Sequence, residues 1–211
     1  MSIDNIKKEF PIFNNKVHNN DLVYLDSANS SQKPQSVIDR VNDFYSKEFS
    51  NVGRSVHYLA VAATNLYETT RSSVQKYINA KDKNEIVFTK GATEAINLIA
   101  NTFGQKYLKE GDEILITELE HHSNYVPWHF LRKSKGIRIE FAEVNTDGEV
   151  TIESIEKKIT SKTKLIGVTH LSNVTGAILP IKEITELAHS KGIAVLVDGC
   201  QGAPHLKLDM Q

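Results

Sequence analysis

The chain has 211 residues, 40% of them hydrophobic and 24% charged, enough to bury one large core or two small ones. A formal net charge of −1, with basic and acidic residues interspersed, leaves no electrostatic footprint for nucleic acid or a membrane surface. One cysteine, Cys200, excludes an internal disulfide framework, and no stretch approaches a signal peptide or the roughly 20 apolar residues of a membrane span, so a cytoplasmic protein is expected.

In chain order, residues 1–20 read as a short amphipathic helix followed by an Asn-rich loop over 14–21, and residues 21–211 as a larger domain. A small strand is expected at 22–25, then a polar turn. Pro34 stands where a helix would begin, its fixed φ suiting the first turn. Val37, Val41, Phe44 and Tyr45 follow at helical spacing. A second helix over 59–78 turns Ala60, Thr64, Tyr67 and Val74 inward. From there strands and helices alternate. Strands are expected at 85–89, 113–117, 138–144, 164–169 and 194–198, with helices at 93–103, 125–135, 152–159 and 181–190. Consecutive β-branched residues in strands that helices return predict an α/β fold, a mostly parallel sheet with helices on both faces. The sheet has no closing elements after its last strand, so it is expected to be incomplete at the C-terminus, with an unpaired edge that favours aggregation.

Ligands of such sheets sit at the carboxyl ends of the strands, which directs attention to four polar stretches. In Lys90-Gly91-Ala92-Thr93-Glu94, a turn opening a helix exposes backbone N–H groups in a positive helix-dipole field, a place suited to a phosphate. A plain cap, with Thr93 capping and Glu94 in the first turn, explains the same residues. His121 and His122, adjacent in sequence, make a poor metal pair. A flat imidazole can instead stack on an aromatic cofactor, and an exposed loop histidine is the bland alternative. Asp198 ends an apolar strand, where an unpaired carboxylate is costly. A pyridinium nitrogen would be its partner, with Gln201 near the ring's phenolic oxygen, and a turn-capping Asp is the alternative. Singly these signals are unspecific, but their order makes one site.

These residues resemble a known family. Leu25-Asp26-Ser27-Ala28, Gln32-Lys33-Pro34, Lys90-Gly91-Ala92-Thr93-Glu94, Glu120-His121-His122-Ser123-Asn124 with Val126-Pro127-Trp128, Thr169-His170-Leu171-Ser172-Asn173-Val174 with Gly176, and Val197-Asp198-Gly199-Cys200-Gln201 are similar to the class V aminotransferases. The His-His-x-Asn stretch with Pro-Trp is most similar to the SufS-type cysteine desulfurases, whose relatives include selenocysteine lyases. The resemblance implies a fold type I, aspartate aminotransferase-like transferase dependent on pyridoxal 5'-phosphate (PLP), with residues 21–211 forming part of its large domain. It implies removal of sulfur from L-cysteine to give L-alanine and a persulfide for iron–sulfur cluster assembly. It also implies a homodimer, and a SufE-like protein among candidate sulfur acceptors.

By the same resemblance, Ala92 and Thr93 hold the cofactor phosphate, and His121 stacks on the ring as the catalytic histidine. Asn173 lies near the substrate and the phenolic oxygen, Asp198 pairs with the ring nitrogen, and Gln201 meets the phenolic oxygen. The family's Schiff-base lysine and persulfide cysteine are expected beyond Gln211, so the 211 residues alone are expected to be inert. Cys200 stands where the family usually has alanine and is expected to be a small buried residue beside Asp198, not the sulfur carrier. Gly53 replaces a common histidine, and Arg54 and His57 beside it receive no role. The competing readings are another class V activity, selenocysteine lyase among them, or a non-catalytic binding partner.

Overall fold

The computed structural model describes residues 2–211. They divide into two compact units, one running to Ile86 and taking in Asp209–Gln211, the other Val87–Leu208.

In the first unit, α1 (Ile3–Lys8) leads to a 3-10 turn at Pro11–Asn14 and a short antiparallel ladder of β1 (Lys16–Val17) and β2 (Asn20–Asp21). His18 and Asn19, both at positive φ, make the tight connection, so the ladder falls inside the expected loop. The strand expected at 22–25 does not form: these residues join no ladder among the described residues, Tyr24 bonds through its hydroxyl to Asp26 O and Ser30 O instead, and Val23 and Leu25 are exposed. α2 (Gln35–Asp43) begins directly after Pro34 and widens into a π-helical turn at Phe44–Glu48. There Phe44 meets Tyr45 and Phe49 edge-on, at 5.8 and 5.9 Å. α3 (Tyr58–Tyr77) is capped by His57, whose Nδ1 accepts from the Ala60 N–H at 3.3 Å. That gives His57 a structural part. Ala60 and Ala63 are buried and Thr64 and Val74 half-buried, whereas Tyr67 stays at the surface with its ring against the Arg71 guanidinium at 5.0 Å.

The second unit is the α/β layer structure. The strand expected at 85–89 is absent: Lys83–Glu85 form a 3-10 turn, and 86–89 run on without a ladder. A strand exists through its neighbour's hydrogen bonds, and 86–89 join no ladder among the described residues. α4 (Ala92–Ile99) continues through a π-helical turn into α5 (Gln105–Tyr107). Then β3 (Glu113–Thr117), α6 (Val126–Lys135), β4 (Arg138–Ala142), α7 (Ile152–Glu156), β5 (Thr163–Thr169), α8 (Ile181–Ser190) and β6 (Ala194–Asp198) alternate as expected. The sheet has four strands where five were expected, in the order β4-β3-β5-β6, all parallel.

The strand sequences explain the two layers. Side chains alternate faces along a strand, so Ile114 and Ile116 of β3 join Leu165 of β5, Ile96 of α4, and Trp128 and Leu131 of α6 in one core. Leu115, Ile166 and Val168 face the other way, into a core with Ile155 of α7 and Ile184 and Ala188 of α8. Each large side chain fully buried this way contributes about 1.5–3 kcal/mol. With both faces covered, the strands are apolar at successive positions, which is the signal the sequence carries. No helix among the described residues is long and apolar enough to cross a membrane.

Candidate functional site at the carboxyl end of the sheet

Because the four strands are parallel, their carboxyl ends open on one side, and the residues that follow β3, β5 and β6 gather there. Ala92, Thr93, His121, Asn173, Asp198 and Gln201 all belong to this unit. α4 packs against the His122–Asn124 turn in the loop that follows β3.

The loop after β3 is held from below by a buried polar chain. Trp128, fully buried, donates from Nε1 to Asn124 Oδ1 at 3.1 Å. Asn124, also fully buried, donates from Nδ2 to Glu120 Oε2 at 2.7 Å. Glu120 Oε1 accepts from Thr117 Oγ1 at 2.6 Å and from the Thr169 N–H at 2.9 Å. One side chain thereby ties the end of β3 to the end of β5. Gly167 leaves room for this: a Cβ there would lie 3.3 Å from Asn124 Oδ1. Burial pushes the Glu120 carboxyl up to about 7, against the hydrogen bonds from Thr117, Thr169 and Asn124 and with a further push from Asp198.

His121 follows immediately and is exposed. The Ser123 N–H donates to its Nδ1 at 3.1 Å. A backbone N–H can only donate, so Nδ1 is the acceptor and a neutral ring carries its hydrogen on Nε2. At the start of α4 the plain-cap explanation fails for Thr93, since no side-chain cap bond is made there. Glu94 instead reaches back to the Lys90 N–H at 2.5 Å. The N–H groups of Gly91, Ala92 and Thr93 find no acceptor among the described residues, nor does the exposed Thr93 hydroxyl find a partner. Four donors therefore stand open at one helix terminus.

Across the sheet, Thr169 and Asp198 are paired in register, and the His170 N–H donates to Asp198 O at 2.9 Å. The turn after β5 closes on itself: Ser172 Oγ accepts from the N–H groups of Val174 and Thr175, both at 3.3 Å, and leaves Asn173 exposed at its tip. Asp198 is 6% exposed. One of its oxygens, Oδ1, accepts from the Cys200 N–H at 3.0 Å. Among the described residues no cation pairs with it. Gln201 is half-buried in the turn that follows.

Cys200 corrects the expectation of a buried residue: it is exposed, because the chain turns outward to the surface as β6 ends. Desolvation and the neighbouring Asp198 charge hold its thiol above the ordinary range, which disfavours the nucleophilic thiolate.

Two participants escaped the sequence reading. Glu120 stands in the sequence only as part of a motif, although a carboxylate three residues beyond a buried strand end is a signal for it. His170 packs against Gly202, where a Cβ would lie 2.8 Å from its Nδ1. Burial holds its imidazole below the usual range. That approach between two loops is invisible in the sequence.

The family description "Aminotransferase class-V" matches residues 23–211. The chain belongs to the class V aminotransferase family. Its relatives include a probable cysteine desulfurase of Halalkalibacterium halodurans, 47% identical over 211 residues, which are 100% of this chain and 52% of that protein. Among solved structures, the apo cysteine desulfurase of Thermococcus onnurineus superposes with a TM-score of 0.91 at 34% identity, over 99% of this chain and 50% of that one. The Escherichia coli cysteine desulfurase CsdA gives a TM-score of 0.84 at 33% identity, over 99% and 51%. The chain is thus a cysteine desulfurase homologue that spans about half the length of these relatives.

The family is PLP-dependent, and the residues present fit that group. A buried carboxylate without a cation suits a pyridinium, the open N–H groups and hydroxyl at α4 suit a phosphate, and the exposed His121 ring offers a flat face.

Proposed function

We propose that the protein carrying these residues is a PLP-dependent cysteine desulfurase of the SufS type, converting L-cysteine to L-alanine and passing the sulfur to an enzyme thiol as a persulfide. The observation that carries this is Asp198, buried and without a cation among the described residues at the carboxyl end of β6, within a chain 47% identical to a probable cysteine desulfurase. Bound PLP supplies the electron sink for a substrate carbanion.

The chain's own residues do the rest. Asp198 holds a proton on the ring nitrogen, the arrangement that favours the sink. The N–H groups of Gly91, Ala92 and Thr93 with the Thr93 hydroxyl bind the phosphate and fix the cofactor's register. His121 would lie over the ring and can pass a proton through Nε2. Asn173 and Gln201 flank the phenolic oxygen. On this reading residues 21–211 belong to the large cofactor-binding domain of a cytoplasmic homodimer that hands sulfur to a SufE-like acceptor for iron–sulfur cluster assembly.

The test is product analysis with the intact protein isolated from its source, supplied with PLP and L-cysteine. Alanine and persulfide sulfur in equal amounts are expected. Release of selenide from selenocysteine with no turnover of cysteine would assign a selenocysteine lyase. Formation of a keto acid would assign an aminotransferase, and either result overturns the proposal.

A further inference from the structure

The buried chain beneath His121 has a fixed direction. Trp128 Nε1 can only donate, so Asn124 must present Oδ1 to it and Nδ2 to Glu120. The other carboxyl oxygen meets the Thr169 N–H, which also can only donate. Glu120 is therefore met at both ends by donors that cannot be reversed. A glutamine there would set an NH2 against either Asn124 Nδ2 or the Thr169 N–H. The position demands a group that accepts at both ends, and a carboxyl is that group.

This carboxyl also stands at the site. It precedes His121 directly, spans to the β5 residue paired with Asp198, and feels the Asp198 charge. We propose that Glu120 is a positioning residue of the cofactor site: it locks the His121 turn to the end of β5 and sets a second carboxyl beside Asp198, so that its charge tunes how firmly Asp198 holds the cofactor's ring nitrogen. The inference rests on the reading of Asp198 given above.

The titratable groups around Glu120 are few. Glu118, His122 and Tyr125 line the same cavity of about 420 Å³ together with Thr117 and Phe141. His121 adjoins Glu120 in the loop, β6 contributes Asp198, and His170 follows the β5 residue that Glu120 binds. When Glu120 is ionised, its charge adds to that of Asp198 and strengthens the hold on a positive ring nitrogen. When it is protonated that help is lost. Since burial places its titration near 7, the balance falls within the neutral range.

The test uses the full-length holoenzyme and follows the visible absorption of bound PLP against pH. An inflection near pH 7 is expected in the parent protein. Thr117→Val fills the same space but removes one donor to Glu120, and with it the acceptor of the Leu119 N–H, so the inflection moves to higher pH, by roughly half a unit or more. Glu120→Gln abolishes the inflection and lowers kcat by up to about a hundredfold through the displaced His121 turn, with KM little changed. If Glu120→Gln does not fold, Thr117→Val alone decides. An inflection unmoved by Thr117→Val, or retained in Glu120→Gln, overturns the inference and leaves the desulfurase reading intact. Absence of any cofactor band in the parent protein overturns both.

Discussion

Trp128→Phe separates the hydrogen-bonded chain beneath the site from simple core packing. The indole is fully buried among Ile96, Ile116 and Leu131, and its Nε1 is the donor to Asn124 Oδ1 at 3.1 Å. Phenylalanine fills most of the space and restores nothing to Asn124, itself fully buried. An acceptor left dry and unpaired costs about 1–3 kcal/mol, and the residual void adds about 1 kcal/mol. The sum, about 2–4 kcal/mol, corresponds to a fall in Tm of about 4–16 °C for a protein of this size. Thermal unfolding of the intact protein followed by far-ultraviolet circular dichroism reads it directly. A shift below about 2 °C would refute the reasoning, since it would mean that Asn124 neither depends on Trp128 nor transmits a fixed orientation to Glu120.

Two further outcomes follow from the turn after β6. Gly202→Ala places a Cβ 2.8 Å from His170 Nδ1 and 3.0 Å from its Cβ, an overpacking that costs about 1–3 kcal/mol; the loss should appear as a lower melting temperature and be relieved in part when His170→Ala removes the ring and leaves the Cβ. If the double variant melts no higher than the single, the contact is not the cause. Cys200→Ser should leave formation of alanine and persulfide from cysteine unchanged, because the Cys200 thiol is held protonated and only its backbone N–H touches Asp198. Loss of persulfide in that variant would make Cys200 the sulfur carrier.

Much of the fold was legible, and the physical reason is local. The strands at 113–117, 164–169 and 194–198 are apolar on successive residues because both faces of the sheet are covered, by α4 and α6 on one side and α7 and α8 on the other. Residues 85–89 carry the same composition and yet form no strand, since pairing depends on a neighbour that composition does not reveal. The ladder at Lys16–Val17 and Asn20–Asp21 was missed for the opposite reason: its residues are polar, and His18 and Asn19 at positive φ make the hairpin. At the site, the helix start at Gly91–Thr93 and the strand-end Asp198 could be read from position alone. The Trp128, Asn124, Glu120 and Thr169 chain could not, because it joins residues up to 49 positions apart. Cys200 was misplaced because sequence neighbours of a buried Asp198 need not share its burial once the strand has ended.

The central claim is that Asp198 is the buried partner of a cofactor's ring nitrogen. It is tested most directly by equilibrium binding of PLP to the intact protein and to its Asp198→Ala variant, read from the cofactor's absorption. Loss of a hydrogen bond to a charged group, about 1.5–3 kcal/mol, should weaken binding by roughly 10- to 150-fold. Equal affinities in the two proteins would contradict the account and return Asp198 to the part of a turn cap for Cys200.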